Sequence, residues 1–450
     1  MTMKGCSMLK KLFGFTKREW SYIFYDWAES AHTVIIGSFV FPILYGILME
    51  NAGFNTAESG SIYGFIATGL SAFIAILSPI LGTYAEYKGM KKKMFMAFFV
   101  FGILFSIGLS FYPLDPSLIW VVLILYAGSM IGYAGTNIFY DSFIVDVTSD
   151  ERMDRVSTAG YAFGYIGGST IPLVISLFIL QFLPELAGLP DSWALEYGFR
   201  ICFLLSAVWW LIFSIPFAKN VQQQYGVDKV EHPIRSSFKR LWQTIRNIKQ
   251  YRVIVLFLIA YFFYIDGVHT IISMAIPFAN DVIGGGDPSF NATSTLLPIM
   301  IVIQILAFFF ALLFSFLSKK YKTRHLLIST ILVYCVIAIF GFFVSTVTHF
   351  WILGILVATS QGGIQALSRS YFGKLVPEDK ANEFFGFYSI FGRIASIMGP
   401  ALVGLFTVLA GNQIGDMRYG ILSLILLFII GLIMFIVVIK VEAKETHQSH

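Results

Sequence analysis

Lysine and arginine are not spread along this chain but gathered in a few short segments separated by long apolar runs. Of 31 Lys and Arg residues, 27 fall in seven places: the N-terminal segment up to Arg18, the 88–93 loop, the 152–155 loop, the 219–252 segment, the 319–324 loop, Lys374 with Lys380, and Lys440 with Lys444. Between them run twelve apolar stretches, and a bilayer takes roughly 20 mostly apolar residues per helix. The loops on alternate sides carry almost no positive charge. Arg200 and Arg418 lie near that other face, while Arg369 and Arg393 fall inside apolar stretches. A basic bias repeated on one side of every hairpin orients a polytopic protein with that side in the cytoplasm. The expected class is an all-α integral membrane protein of twelve transmembrane helices, both termini cytoplasmic.

Spans are expected near 20–48, 57–85, 94–112, 118–146, 157–183, 198–218, 253–280, 293–317, 326–346, 350–375, 383–410 and 419–439. They use most of the 450 residues, so no sizeable soluble domain remains. Charged residues make up 13%, against about 25% in a soluble domain. The net charge of +5 flanks the spans, where it sets orientation and meets anionic headgroups, so it does not point to nucleic acid. The start, MTMKGCSMLKKLFGF, is basic but lacks a short apolar core followed by small cleavage-site residues, so the first span is expected to be its own insertion signal. Cys6, Cys202 and Cys335 offer neither a disulfide framework nor a CxxC metal motif.

The longest hydrophilic segment, 219–252, divides the chain into an N-terminal six-helix bundle (1–218) and a C-terminal six-helix bundle with a short tail (253–450). Within it Phe238, Leu241, Trp242, Ile245 and Ile248 share one helical face, which predicts an amphipathic helix along the inner membrane surface. The halves echo each other. Span one reads YIFYDWAESAHTVI and span seven YFFYIDGVHTII, each with aromatics, an aspartate (Asp26, Asp266) and then His-Thr. Arg200 opens span six and Arg418 span twelve, and a basic loop follows both span two and span eight. Parallel repeats of this kind place a substrate site near midplane, between two bundles that rock about it.

An ionisable side chain in the hydrocarbon region costs at least about 2.5–3.5 kcal/mol, so it usually faces protein or water and has a partner. Span one carries Asp26, Glu29 and His32, expected along one face with Tyr22 and Tyr25. Span seven carries Asp266 and His269; span four ends with Asn137, Asp141 and Asp146; spans ten and eleven bring Gln361, Gln365, Arg369 and Arg393. One reading is a polar cavity between the bundles, its acids facing Arg369 and Arg393 and its walls including Tyr25 and Trp27. Carboxylates so placed suit proton uptake and release, and the arginines suit anionic or zwitterionic groups of a substrate. The plainer reading is a set of structural ion pairs, Asp141–Arg369 or Asp26–Arg393, with His32 and His269 hydrogen-bonding across the interface. The run GYAFGYIGG (160–168) is read as close helix packing, because no strand precedes it and no P-loop lysine follows.

The 82–93 loop resembles the signature loop of the major facilitator superfamily: Gly82, an acid four on at Glu86, Gly89, then Lys91 and Lys92. It departs with Glu86 for the usual Asp and Tyr87 for the usual Arg, and after span eight Lys319 stands where the acid would be. The segments FYDWAESAH (24–32), NIFYDSF (137–143), GYAFGYIGG, the pair Trp209-Trp210 with Pro216, AYFFYIDGVHTI (260–271), GGIQALSRSYFGKLVP (362–377) and FFGFYSIFGR (384–393) look like the vacuole-effluxer-like branch, found in fungi and bacteria. This resemblance implies twelve-helix alternating access, a cytoplasmic gate built on Gly82, Glu86, Gly89, Lys91 and Lys92, and, from the fungal vacuolar members, efflux of amino acids. Glu29 stands where a DWANSA-type motif has Asn, adding a charge to the expected cavity.

The function expected is secondary active transport of a small solute, proton-coupled through Asp26, Glu29 and Asp266, with no cofactor and no metal. No nucleotide-binding motif suggests ATP drive. Short outer loops favour a bacterial plasma membrane over a vacuolar one. The high aromatic content (46 Phe, 22 Tyr, 8 Trp) leaves export of an amphipathic compound or lipid as a rival. A receptor or assembly factor on a transporter scaffold is a rival of another class. A membrane enzyme would need a nucleophile or metal cluster, and His32, His269, His325 and His349 show no metal-ligand spacing.

Overall fold

The structure, a computed structural model, describes residues 14–448 apart from 191, 229, 231–232, 286–291, 396–397, 412 and 414. Lys4, Cys6, Lys10, Lys11, Lys229 and His232 lie outside the described residues. Among those described, twelve helices are long and apolar enough to cross a membrane. They are α1 Lys17–Asn51, α2 Glu58–Ala85, α3 Met90–Leu109, α4 Pro116–Ser142, α5 Asp150–Leu186, α6 Ala194–Asn220, α7 Lys249–Ser273, α8 Pro298–Leu317, α9 Thr323–Phe342, α10 Val347–Leu375, α11 Glu378–Ala410 and α12 Met417–Glu445. The twelve expected spans are all present, with ends shifted by at most seven residues.

Local chemistry sets the starts. Thr16 Oγ1 accepts the Glu19 backbone N–H at 3.2 Å and Glu19 Oε2 accepts the Thr16 N–H at 2.6 Å, a capping box that opens α1. The same carboxylate holds the Arg152 guanidinium at 2.7 Å, tying the start of α1 to the start of α5. Both helices are irregular further on. Thr33–Ser38 of α1 and Gly164–Thr170 of α5 are π-helical, a form rare in general and frequent at functional sites. Nothing in the sequence pattern announced these turns.

In the first half α1 packs on α6 and α3 on α4; in the second α7 packs on α12 and α9 on α10. Across the halves α2 meets α11 and α5 meets α8, which is one contact with the halves exchanged. The repeat seen in sequence is thus a pseudo-twofold in space. Large apolar side chains ring the outside, Phe65, Phe111 and Leu186 being 79%, 76% and 75% exposed. So much exposed apolar surface suits lipid rather than water.

The linker carries the expected helix, Pro233–Arg246, with Phe238 and Trp242 exposed; the side chains of Ile245 and Ile248 lie outside the described residues. Ahead of it the chain is stitched to the 82–93 loop. Val227 N–H donates to Glu86 O at 2.9 Å and Lys88 N–H to Val227 O at 3.0 Å. Asp146 Oδ1 accepts the N–H groups of Gln224 and Tyr225 at 2.6 and 3.1 Å.

Candidate functional site

Arg369 sits in α10, in the second half, and every group it bonds belongs to the first. Its Nε donates to Ser157 Oγ at 3.0 Å. Nη1 donates to Asp26 Oδ1 and to Asp141 Oδ1, each at 3.3 Å. Nη2 donates to Asp26 Oδ2 at 3.0 Å and to the Ser157 carbonyl at 3.3 Å. The rings of Tyr161, Tyr22 and Tyr140 lie 4.7, 5.4 and 5.4 Å from the guanidinium carbon. Arginine has five N–H donors in a planar fork, which suits a bidentate grip on one carboxylate and a branch to another. Arg369 is 2% exposed and Asp26 5%, so the bolt is buried. Asp26 lies nine residues into α1, about 14 Å along its axis, well inside a bilayer. Glycine makes the approach of α5 feasible: a Cβ on Gly160 would land on Asp26 Oδ2 and lie 3.2 Å from Arg369 Nη2.

Of the two ion pairs expected, Asp141–Arg369 is present, and Asp26 pairs with Arg369 in place of Arg393. Arg393 donates to Ser389 Oγ at 3.4 Å and lies close enough to Asp141 and Tyr133 to act on both electrostatically.

A cavity of about 370 Å³ runs from this bolt toward the face opposite the basic loops. Asp26, Glu29, Asn137, Asp141, Gln361, Gln365 and Arg369 all line it, with Thr33, Ser38, Tyr161, Tyr165 and Gln304 among the other wall residues. Glu29 Oε2 is buried there without a hydrogen-bond partner. A smaller apolar cavity of about 110 Å³ adjoins it between α7, α8 and α10, sharing Ile272, Met300, Gln304 and Gln361.

Five expected site residues lie elsewhere. His32 is six residues from Asp26, a rotation of roughly 120° away, so it leaves the cavity face and turns into the first bundle. There its Nε2 is 2.7 Å from Ser129 Oγ and its ring stacks on Tyr133 at 4.7 Å. Tyr25 and Trp27 flank Asp26 by 100° on either side and are not cavity walls. Tyr25 is in the core with Phe95 and Phe217 and accepts from Trp210 Nε1 at 3.3 Å; Trp27 packs on Phe163 and Phe213. Asp266 is fully buried, but its carboxylate accepts the Gly399 N–H at 2.9 and 3.0 Å and does not line the cavity. It caps the second part of α11, where helix N–H groups lack intrahelical partners. His269 is half-buried and is also not a wall residue.

Toward the basic face the two halves are locked. Glu86 Oε1 accepts the Glu383 N–H at 2.9 Å and Oε2 the Asn382 side chain at 3.2 Å, while Ser142 Oγ donates to Asn382 Oδ1 at 2.7 Å. Gly82 lets α2 touch α11, since a Cβ there would meet the Asn382 carbonyl. Gly89 turns the loop at φ 77, a left-handed conformation glycine adopts freely. Lys91 and Lys92 stay within the first half, on Asp146 and on the Phe217 carbonyl at 2.5 and 2.9 Å. Burial pushes the Glu86 carboxyl up from 4.5 to about 8, against the Glu383 N–H and the charge of Lys91. On the other side of the pseudo-twofold Asp154 accepts from Thr323 Oγ1 and Ser370 Oγ at 2.6 Å and from Lys374 Nζ at 2.7 Å. Ser157, Asp154 and Asn382 were not singled out from sequence, because polar residues at helix starts are common and only their partners across the interface mark them.

The family described as "Vacuole effluxer Atg22 like" matches residues 57–448. An MFS-type transporter of Bacillus subtilis (strain 168), YxiO, is 42% identical over 97% of this chain and 98% of its own. Autophagy-related protein 22-1 of Penicillium rubens is 26% identical over 63% of this chain, which spans about half (49%) of that relative's length. Among solved structures, the major facilitator transporter FucP in its outward conformation has a TM-score of 0.65 at 12% identity, over 94% of this chain and 98% of that one. A bacterial homologue of the iron transporter ferroportin, outward-facing, has a TM-score of 0.63 at 13% identity, over 94% and 98%. At these identities the structural likeness establishes the fold alone. The chain is a multi-pass membrane transporter and belongs to the vacuole-effluxer Atg22-like family of the major facilitator superfamily.

Proposed function

We propose that this protein is a proton-coupled secondary transporter of small zwitterions such as amino acids, in which Arg369 is the latch between the bundles. The observation that carries the reading is the five-bond grip of one C-terminal arginine on Asp26, Asp141 and Ser157 at the floor of the polar cavity. Removing one partner of a buried ion pair costs about 3–5 kcal/mol. A proton arriving on Asp26 or Asp141 therefore weakens the latch enough to shift the balance between two packings of the bundles. Glu29, three residues from Asp26 and without a hydrogen-bond partner for Oε2, takes the proton or the solute first. With the basic face as cytoplasm, the cavity faces outward and the Glu86 and Asp154 interlocks close the cytoplasmic side. The amino-acid assignment follows the family likeness. Asp266 is assigned to holding α11, not to coupling, because its carboxylate is already committed to Gly399.

The test is proton flux in proteoliposomes with a pH-sensitive dye inside and a panel of amino acids outside. Asp26→Asn and Glu29→Gln are expected to abolish solute-driven proton movement, while Asp266→Asn retains it. Solute crossing without proton movement would leave the carboxylates a structural role and remove the coupling.

A further inference from the structure

The walls of the cavity hold unpartnered acceptors and a cation whose donors are already used. Glu29 Oε2, Asn137 Oδ1 and Gln304 Oε1 are buried without a hydrogen-bond partner, and all three residues line the cavity, the Asn137 side chain standing beside the Glu29 carboxyl. Arg369 already spends its N–H groups on Asp26, Asp141 and Ser157. Among the described residues no cation pairs with Glu29, so the lining holds three carboxylates against one guanidinium. Counting Arg393, which lies beside Asp141 but does not line the cavity, still leaves one negative charge over. A buried charge without a counterpart is costly, so a positive ligand or a proton is favoured there. The adjoining cavity is apolar, walled by Ile271, Ala275, Phe278, Ile303 and Leu353, and Gln304 stands at the junction of the two.

We infer that the cavity selects an amphipathic ammonium compound, its positive end on Glu29 and its apolar group in the side cavity between α7, α8 and α10. The inference rests on the proposed reading of this cavity as the transport site, and puts a cationic amine in the place of the zwitterion as its preferred occupant. A free carboxylate on the ligand finds no open donor on Arg369, so an amine outcompetes the matching amino acid. One carboxylate cannot hold a proton and an ammonium together. Ligand entry therefore releases one proton from Glu29 as the ammonium takes its place, which is an exchange of cation for proton.

The experiment uses the full chain purified in detergent and calorimetric titration with phenethylamine, phenylalanine, 3-phenylpropionate and ethylamine. Phenethylamine is expected to bind at least about tenfold tighter than any of the others. Repeating the titration in buffers of different ionisation heat should read about one proton released per cation bound. Glu29→Gln should lose at least about tenfold for phenethylamine, with Glu29→Asp in between. Ala275→Phe, which fills the side cavity, should weaken phenethylamine while leaving ethylamine unchanged. Equal or tighter binding of phenylalanine or 3-phenylpropionate, no binding of phenethylamine, or an unaltered Glu29→Gln overturns the inference. The two readings fail separately: if proteoliposomes move protons with amino acids while the amine ranking fails, the transport proposal stands and this one falls. If the ranking holds and no solute moves protons, the reverse is true.

Discussion

The two interlocks on the basic face are related by the pseudo-twofold and yet are built from different chemistry. Where α2 meets α11, the acceptor is Glu86, from the loop after α2, and the donors are a backbone N–H and an amide at the start of α11. Where α5 meets the second half, the acceptor is Asp154, at the start of α5, and the donors are Thr323, Ser370 and Lys374. The loop after α8 bears Lys319 in place of an acid, and Asp154 supplies the carboxylate on that side instead. Both carboxylates thus come from the first half, as do Asp26 and Asp141 on Arg369. Symmetric packing carries an asymmetric division of labour: the carboxylates that accept across the halves at these contacts all lie in the first bundle. A repeat preserves helix contacts, which need only shape, more readily than ion pairs, which need both partners.

The largest break in this arrangement is Arg369→Ala. It strands the buried Asp26 carboxylate and leaves the half-buried Asp141 without its partner, so a loss of about 3–5 kcal/mol in stability is expected together with loss of transport. Thermal unfolding in detergent and uptake in vesicles check the two parts, and recovery of stability with Asp26→Asn added would show that the stranded charge is the cause. Gly160→Ala comes next. Its methyl collides with the Asp26 carboxylate, and overpacking of this kind costs about 1–3 kcal/mol. If the same unfolding assay registers no change, the close approach of α5 to the bolt is not what holds Asp26 in place. Asp154→Asn should cost a comparable or smaller amount, about 1–3 kcal/mol, because Ser370 and Thr323 donate to different oxygens and the amide keeps only one acceptor while losing the charge opposite Lys374.

How much of this was legible depended on what each feature needs. The spans and the clustering of basic residues follow from hydropathy and charge alone. Buried charge flagged Asp26, Asp141 and Arg369, because an ionised group in a span has few reasons to be there. The pairing itself was out of reach: Asp26 with Arg369 joins residues 343 apart in sequence, and nothing local favoured Arg369 over Arg393. His32, Tyr25 and Trp27 were misplaced because proximity in sequence was read as proximity on a helix face, where 100° per residue separates them. Asp266 matched Asp26 in the repeat, yet the second half uses its aspartate to cap a broken α11. The second stretch of α11, Met398–Ala410, begins beside Gly399, and its need for an acceptor did not show until the helix was in place.

The smallest expected effect distinguishes the two interlocks most directly. Glu86 is buried with its carboxyl raised from 4.5 to about 8, facing Lys91, Arg240 and Glu383 as well as the N–H it accepts. The closed basic face therefore binds more protons than an open one in which Glu86 meets water. Closure is fully favoured below about pH 4.5, weakens as pH rises toward about 8, and changes no further beyond. Glu86→Gln removes the titrating group while keeping one of its two accepting oxygens, so it should cost little beside Arg369→Ala, about 1 kcal/mol, while abolishing that pH dependence. Asp154, held by a lysine and two hydroxyls, should show a larger cost for Asp154→Asn. Distances between spin labels at Lys93 and Lys322 in a cysteine-free background, followed from pH 5 to 9, would read the opening. A flat profile for the parent chain, or an unchanged slope in Glu86→Gln, would place the titrating group elsewhere and leave the two interlocks electrostatically alike.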